Sequence, residues 1–149
     1  MSRYCVIGSG ISGATIAHLL SQKHSVDLFD KARGPCGRSS FKRLDKTKGF
    51  DHGTQYISPK SPAFKKFINN LINKKILKKW SGNHLFLNKV KKENKNHLKI
   101  IGRKGNNDIS KYLLKNIKCY FQTELKKINY NEKKWSFLFL MEVKKLMKN

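Results

Sequence analysis

The chain has 149 residues, of which 38% are hydrophobic and 11% aromatic, a composition that argues against wholesale disorder. Its 33 Lys and Arg residues outnumber 9 Asp and Glu residues, which gives a formal net charge of +24. No run approaches the roughly 18–20 uncharged apolar residues of a membrane-spanning helix, and the first residues lack the pattern of a secretory signal, so we expect neither.

The positive charge allows two interpretations. A basic surface can concentrate nucleic acid or anionic lipid. However, 28 of the basic residues are lysine and only five are arginine, the residue preferred for bidentate contacts to bases and phosphates. Abundant Lys, Asn and Ile together are typical of AT-rich codon usage. We therefore expect a small-molecule partner rather than nucleic acid, and a basic nucleic-acid or membrane-surface module is the alternative.

The cysteines and histidines indicate a reducing setting and no metal centre. Cys5, Cys36 and Cys119 lie far apart and form no Cys-x-x-Cys pair. Thiols inside apolar runs act as small hydrophobic side chains, so we expect a cytoplasmic protein. The five histidines show no ligand spacing, and we expect no zinc site.

The first thirty residues predict a strand, a glycine turn, a helix and a second strand. Residues 4–7 form a short apolar run that is typical of a buried parallel strand. Apolar residues at helical spacing follow from Ile11 to about Gln22, and residues 25–29 form the next strand, which ends at Asp30. This order predicts a right-handed βαβ unit in an α/β fold.

The turn between the first strand and the helix has the sequence Gly8-Ser9-Gly10-Ile11-Ser12-Gly13. In a G-x-G-x-x-G turn, the first glycine makes the bend, the second lets a pyrophosphate approach the main chain, and the third lets the helix pack closely on the strands. The helix N-terminus then offers free N–H groups to the phosphates. Asp30 follows Gly8 by 22 residues, where a carboxylate can accept hydrogen bonds from a ribose and repel the 2′-phosphate of NADP. This context predicts dinucleotide binding, and an ordinary glycine-rich turn is the alternative.

A second loop, both basic and rich in glycine, follows directly. It contains Lys31, Arg33, Gly34, Pro35, Cys36, Gly37 and Arg38. A two-phosphate cofactor that reaches further along the chain would use such a loop, because glycine permits close approach and Arg38 can neutralise a phosphate oxygen. A solvent-exposed turn is the alternative.

Shorter elements are predicted in the rest of the chain. An extended piece spans 39–44, and Ser61-Pro62 opens a helix. The apolar stripe of that helix is Phe64, Phe67, Ile68, Leu71 and Ile72. We expect Trp80 and residues 85–87 in a small sheet, and residues 88–99 in a loop or mobile hairpin.

The last third of the chain begins with a second helix and ends in lysines. The helix is marked by Ile109, Tyr112, Leu113 and Ile117. A strand follows at 118–121. The type of the apolar run at 135–140 stays open, and the last nine residues could fray or extend a helix.

The chain resembles the FAD-dependent amine-oxidoreductase superfamily in five stretches: VIGSGISGATIAHLL, VDLFDKARGPCGRSS, FDHGTQY, IGRKGNNDISKYL and IKCYFQTELKKI. The stretch FDHGTQY is similar to the renalase-like bacterial NAD/FAD-dependent oxidoreductases within it. The resemblance covers roughly residues 3–130. It implies a Rossmann-like FAD/NAD(P)-binding domain, incomplete because members of the family are considerably longer, with the start of a substrate domain inserted.

The resemblance also implies boundaries within the chain. Residues 1–60 would be the FAD-binding βαβ unit with its second phosphate and flavin loop. Residues 61–104 would begin the inserted substrate region, and residues 105–135 would return to the FAD-binding domain. Residues 136–149 would be an atypical tail. The greater length of the family members, together with this tail, leads us to expect a truncated chain.

FAD is the cofactor that the resemblance implies. Its pyrophosphate would contact the turn formed by Gly8, Ser9, Gly10, Ile11, Ser12 and Gly13, and its adenosine ribose would contact Asp30. The basic second loop would lie beside the ribose and phosphates through Lys31, Gly37 and Arg38. The flavin end would lie close to Gly53, Thr54, Gln55 and Tyr56, and the adenine edge would meet the main chain of Leu125. The family usually has Glu at position 30, Gly at position 36 and Pro-Gly-Met near Lys104-Gly105-Asn106.

The chemistry implied by the resemblance is that of the cofactor. The flavin would accept a hydride from a reduced small molecule, an amine or a dihydronicotinamide-like species, and return electrons to oxygen. We therefore name no catalytic side chain. His52 beside Asp51 is expected to be a turn neighbour, because adjacent residues on an extended segment point to opposite faces. An inactive dinucleotide-binding fragment is the alternative.

Overall fold

The structure, a computed structural model, describes residues 1–81, 98–132 and 134–141. Its strands and helices follow in chain order as β1 (Arg3–Ile7), α1 (Ile11–Ser21), β2 (Ser25–Phe29), β3 (Phe41–Arg43), β4 (Gly49–Asp51), α2 (Pro62–Asn73), β5 (Leu77–Lys79), β6 (Ile100–Gly102), α3 (Asp108–Leu113), β7 (Lys118–Tyr120), β8 (Thr123–Asn131) and β9 (Lys134–Met141). The predictions for residues 85–87, for most of 88–99 and for nearly all of the lysine-rich end lie outside the described residues.

The chain divides into two compact units. Of the described residues, 1–37 and those from 113 onward form the first unit, and those within 38–112 form the second. The boundaries implied by the resemblance, at residues 60, 104 and 135, stay predictions. Among the described residues, no helix combines the length and the apolar character needed to cross a membrane.

The first unit contains a parallel sheet with the strand order β1-β2-β7. Strand β2 lies in the middle and pairs in parallel with both neighbours. The strand, helix and strand predicted for the first thirty residues are confirmed, and so is the strand predicted at 118–121. The sheet therefore begins with a βαβ unit whose turn carries the glycine motif.

Helix α1 packs on this sheet through small side chains. Ala14 and Ala17 are fully buried, and Leu28 of β2 is fully buried as well. Side chains of one carbon let the helix axis approach the strands closely, and burial of a leucine contributes roughly 1.5–3 kcal/mol. The position of the helix N-terminus over the end of β1 follows from this packing.

Strands β8 and β9 form a long antiparallel ribbon in the first unit. The ribbon shows that the apolar run at 135–140, whose type was open, is a strand. Phe139 on β9 stacks on Phe29 of β2 with ring centroids 4.2 Å apart, and Phe29 stacks on Tyr120 at 4.7 Å. Stacked aromatic rings thus connect the ribbon to the parallel sheet.

The second unit contains α2, which starts where the sequence predicts. The Ser61 Oγ accepts a hydrogen bond from the Phe64 N–H at 3.3 Å, and Pro62 occupies the first turn. Ile68 and Leu71 from the predicted apolar stripe are buried, whereas Phe64 is exposed. The cap is confirmed, and the stripe is confirmed at Ile68 and Leu71 but not at Phe64.

Short strands and α3 complete the second unit. Strands β3 and β4 pair antiparallel, as do β5 and β6, and the Trp80 N–H extends the second pair by donating to the Lys99 carbonyl at 2.9 Å. Helix α3 is shorter than predicted, because Ile117 lies beyond its end. The Ile117 N–H donates to the carbonyl of Leu114, three residues back, and this tight turn does not continue the helix.

Candidate dinucleotide-binding site

The site begins at the bend where β1 ends. Gly8 adopts φ +95°, a left-handed conformation that L side chains rarely take, and its N–H donates to the Phe29 carbonyl at 2.8 Å. This hydrogen bond ties the bend to the end of β2. The first glycine of the motif is therefore required by the backbone itself.

The other two glycines of the motif face different surroundings. A Cβ at Gly13 would lie 1.9 Å from the Gly8 carbonyl oxygen, so only glycine allows the helix to pack on the bend. A Cβ at Gly10 would meet no atom within 4 Å. The space above Gly10 is open, as a pyrophosphate that approaches the main chain requires.

The N-terminus of α1 opens directly from this turn. Its first intrahelical hydrogen bond runs from the Ala14 N–H to the Gly10 carbonyl at 2.8 Å. The N–H groups of Ile11, Ser12 and Gly13 precede that bond, and neither an acidic residue nor a capping side chain competes for them. The turn therefore presents main-chain donors and the positive end of the helix dipole to an anion.

Asp30 is held against the turn by this chain's own donors. Its Oδ2 accepts the Ser9 N–H at 2.6 Å and the Ser9 hydroxyl, and its Oδ1 accepts the Ala32 N–H at 2.7 Å. Burial raises the pKa of Asp30, but these hydrogen bonds and the charge of Lys31 outweigh it, and the pKa lies below its ordinary value. Asp30 is thus an ionised carboxylate beside the phosphate turn.

The second loop returns to the glycine turn. The Cys36 N–H donates to the Ser9 carbonyl at 3.0 Å, and Cys36 and Gly10 form a parallel bridge. A Cβ at Gly37 would lie 3.4 Å from the Gly10 Cα, so the two glycines approach closely. The structure thus brings Gly37 to the phosphate turn, and its role toward a cofactor stays a prediction.

Cys36 lies at a position where the family that the chain resembles usually has glycine, and its backbone is strained. It is buried and adopts φ +120°, a conformation that L side chains rarely take. Glycine, which the resemblance leads us to expect here, adopts it without strain. The loop therefore has the backbone of a glycine at a position where the sequence has a cysteine.

Lys31 lines a cavity of about 340 Å³ beside the start of β8, together with Ala32, Gln122, Glu124 and Leu140. The Gln122 N–H donates to the Ala32 carbonyl at 2.9 Å, which fixes β8 next to the loop after β2. Leu125 follows Glu124 on β8. The predicted adenine position therefore lies on a strand that is hydrogen-bonded to the loop after Asp30.

A second group of predicted residues lies in the second unit. The Arg38 carbonyl accepts the Thr54 N–H at 2.8 Å and the Thr54 hydroxyl at 3.2 Å. A Cβ at Gly53 would lie 1.9 Å from the same carbonyl oxygen, so glycine is needed there. Tyr56 lies beside Trp80, with ring centroids 5.8 Å apart. The structure brings Arg38, Gly53 and Thr54 together, and their cofactor contacts stay predictions.

Asp51 and His52 have different partners. The His52 Nε2 lies 2.9 Å from the Ser40 Oγ, whereas the Asp51 Oδ1 accepts the Asn106 N–H at 2.7 Å. The two side chains therefore do not form an acid/base pair with each other.

Asn106 is the residue that sequence reasoning missed. It is buried, its Oδ1 accepts the Gly102 N–H at 2.9 Å, and its Nδ2 donates to the carbonyls of Thr54 at 2.6 Å and Gln55 at 3.1 Å. One amide thus fixes the main chain of the predicted flavin loop. The available signal was the departure of Lys104-Gly105-Asn106 from the pattern of the family.

Comparisons with known proteins agree with this fold. A model of the NAD(P)-binding Rossmann-like domain matches residues 6–71. An oxidoreductase from Methanosarcina mazei is similar in structure, with 13% identity and a TM-score of 0.60. Tetracycline destructase Tet(51), with 17% identity and 0.55, and CtdE in complex with FAD and substrate 4, with 15% identity and 0.52, are similar as well. Each match covers 93% of this chain.

The fold and the glycine turn together are those of a Rossmann-like domain of mixed α/β architecture with a parallel sheet. More particularly, residues 6–71 are similar to the NAD(P)-binding Rossmann-like domain. The chain spans 56% of the length of the Methanosarcina mazei protein and 34% of each of the other two.

Proposed function

We propose that the chain binds FAD and functions in a flavin-dependent oxidoreductase reaction. The observation that carries the proposal is the ionised carboxylate of Asp30 held against a glycine turn that is open at Gly10. These two features suit the ribose and the pyrophosphate of an adenine dinucleotide. The negative charge of Asp30 disfavours the extra 2′-phosphate of NADP.

FAD is favoured over NAD by the second loop. This loop is bridged to Gly10 through Cys36 and carries Arg33 and Arg38, which suits a cofactor that extends along the chain. CtdE, one of the similar structures, was solved in complex with FAD. Both observations support FAD.

Different residues of this chain would contact different parts of the cofactor. The main chain from Gly8 to Gly13 would bind the pyrophosphate, and Asp30 would bind the ribose. Lys31 and Arg38 would lie beside the ribose and the phosphates. The main chain of Leu125 would meet the adenine, and Gly53, Thr54, Gln55 and Tyr56 would lie at the flavin end. The fit rests on the open space at Gly10 and on the free N–H groups of α1.

The bound flavin would supply the capacity to accept a hydride from a reduced small molecule. The stretch FDHGTQY supports a renalase-like specificity, with an amine or a dihydronicotinamide-like donor. The spacing of the three cysteines supports a cytoplasmic setting.

The test is a visible absorbance spectrum of the purified protein after incubation with FAD and desalting. We expect flavin bands to survive desalting in the wild type. The Asp30→Asn variant should lose FAD affinity by about tenfold or more, because a hydrogen bond to a charged acceptor is worth roughly 1.5–3 kcal/mol. A wild type that retains no flavin and gains no thermal stability from FAD would refute the proposal.

Asp45→Asn is the matched control. The Asp45 carboxylate also accepts main-chain N–H groups, from Thr47 and Lys48 at 2.6 Å each, and lies outside the glycine motif. This variant should keep the flavin of the wild type. Equal losses of FAD affinity in both variants would show that the loss does not come from a ribose contact of Asp30, because removal of an unrelated carboxylate would have the same effect.

Binding without turnover is the second candidate function. The contacts seen in the first unit lie around the glycine turn and Asp30, which would bind the ADP half of FAD. Flavin that binds but is not reduced by amines or dihydronicotinamides would favour this candidate.

A further inference from the structure

Ser9 occupies the variable second position of the G-x-G-x-x-G turn and contacts the carboxylate that follows β2. It is fully buried, and it donates both its N–H and its hydroxyl to the Oδ2 of Asp30. The residue therefore serves the carboxylate that the proposed function assigns to the ribose.

The acceptor capacity of Asp30 is limited. A carboxylate offers about four lone-pair positions, two on each oxygen. Ser9 occupies two on Oδ2, and the Ala32 N–H occupies one on Oδ1. One position remains, and it lies on Oδ1. A ribose next to a diphosphate presents two hydroxyls, so the carboxylate can serve only one of them.

We propose that Ser9 is a specificity-determining residue that makes Asp30 recognise a single ribose hydroxyl of an adenine nucleotide. This inference rests on the proposed function. Only proline would remove the main-chain N–H of Ser9, and it would also restrict the backbone of the turn. The hydroxyl is therefore the donor at Oδ2 that an alanine substitution removes alone. Without that hydroxyl, a second acceptor position becomes available to the nucleotide.

The short aspartate side chain supports this assignment. Asp30 immediately follows β2, and its Oδ1 bonds the N–H two residues further along the chain at 2.7 Å. The carboxylate is thereby fixed between Ser9 and its own main chain. Both oxygens are oriented by contacts that exist without any ligand.

The experiment compares ADP with 2′-deoxy-ADP and 3′-deoxy-ADP, titrated calorimetrically into the wild-type protein and the Ser9→Ala variant. In the wild type, loss of one hydroxyl should weaken binding by about tenfold or more, whereas loss of the other should change it by less than about twofold. In Ser9→Ala, both analogues should bind more weakly than ADP. Ser21→Ala removes a serine hydroxyl from the last turn of α1 and should keep the wild-type pattern.

Other outcomes overturn the inference. Equal weakening by both analogues in the wild type would show that Asp30 serves two hydroxyls. Unchanged selectivity in a folded Ser9→Ala protein would show that the serine does not set it. If Ser9→Ala does not fold, the comparison of the two analogues in the wild type still tests whether Asp30 binds one ribose hydroxyl or two. A wild type that binds no ADP would overturn the proposed function, which is a different result.

Discussion

The main-chain N–H of Asn106 donates to the Oδ1 of Asp51 at 2.7 Å, although 55 residues separate them. The same asparagine holds the carbonyls of Thr54 and Gln55 through its side-chain amide. The predicted flavin loop is therefore positioned partly by a distant residue that contacts its main chain.

Asn106→Ala should destabilise the protein by about 2–4 kcal/mol. The substitution removes three hydrogen bonds and leaves main-chain groups of Gly102, Thr54 and Gln55 without this partner. Urea denaturation measures the change. Asn69→Ala, on the exposed face of α2, is the control and should change stability by less than about 0.5 kcal/mol. Equal stability of the two variants would contradict the positioning role of Asn106.

Gly13→Ala and Gly10→Ala should affect different properties of the protein, the first its stability and the second its affinity for FAD. The added methyl group at position 13 meets the Gly8 carbonyl oxygen at 1.9 Å and should destabilise the protein by about 1–3 kcal/mol. At position 10 it meets no atom, so the protein should fold normally but lose FAD affinity. Thermal melts and FAD titrations separate the two effects. A Gly10→Ala protein with normal FAD binding would contradict the predicted phosphate contact.

Cys36→Gly and Cys36→Ala should separate strain from burial. Both variants remove the buried thiol, but only glycine adopts φ +120° without strain. The glycine variant should therefore be more stable than the alanine variant by about 1–3 kcal/mol. Chemical denaturation of both proteins measures the difference. An alanine variant of equal or greater stability would show that the loop carries no strain at this residue.

Acid should unfold the protein partly through Asp30. The pKa of Asp30 is lower in the folded chain than its ordinary value of 3.8, so its contribution to stability is complete above that value and is lost as the pH falls through the folded pKa. Asp45 and Glu124 also have lowered pKa values and add to the same trend. Asp30→Asn should make stability less dependent on pH below about 4. Melting temperatures from pH 2 to 7 test this, and an unchanged acid dependence would contradict it.

The sequence predicts what depends on local patterns. The bend at Gly8, the start of α1 and the carboxylate after β2 follow from spacing alone, and the Ser61 cap follows from its neighbours. Each of these features needs only residues within about one helix and one strand. They account for the pairing of β1 with β2 in the parallel sheet and for the phosphate turn.

The remaining features depend on contacts between distant segments. The position of Asn106 depends on the return of a loop that lies about fifty residues earlier in the chain, and no periodicity encodes that return. The apolar run at 135–140 satisfies either a strand or a helix until β8 lies beside it. The contact between Ser9 and Asp30 requires the register of β1 on β2, which places Ile7 opposite Phe29.

Strand β1 has a neighbour on one side only in the part of the chain that the structure describes. Its outer row of main-chain donors and acceptors is a template for another strand, and Tyr4 and Ile7 add exposed apolar surface beside it. Mutual repulsion between molecules that each carry +24 opposes such pairing in dilute buffer. The Debye screening length falls to about 3 Å at 1 M salt. Concentrated salt therefore removes the charge repulsion that opposes pairing between the β1 edges of two molecules.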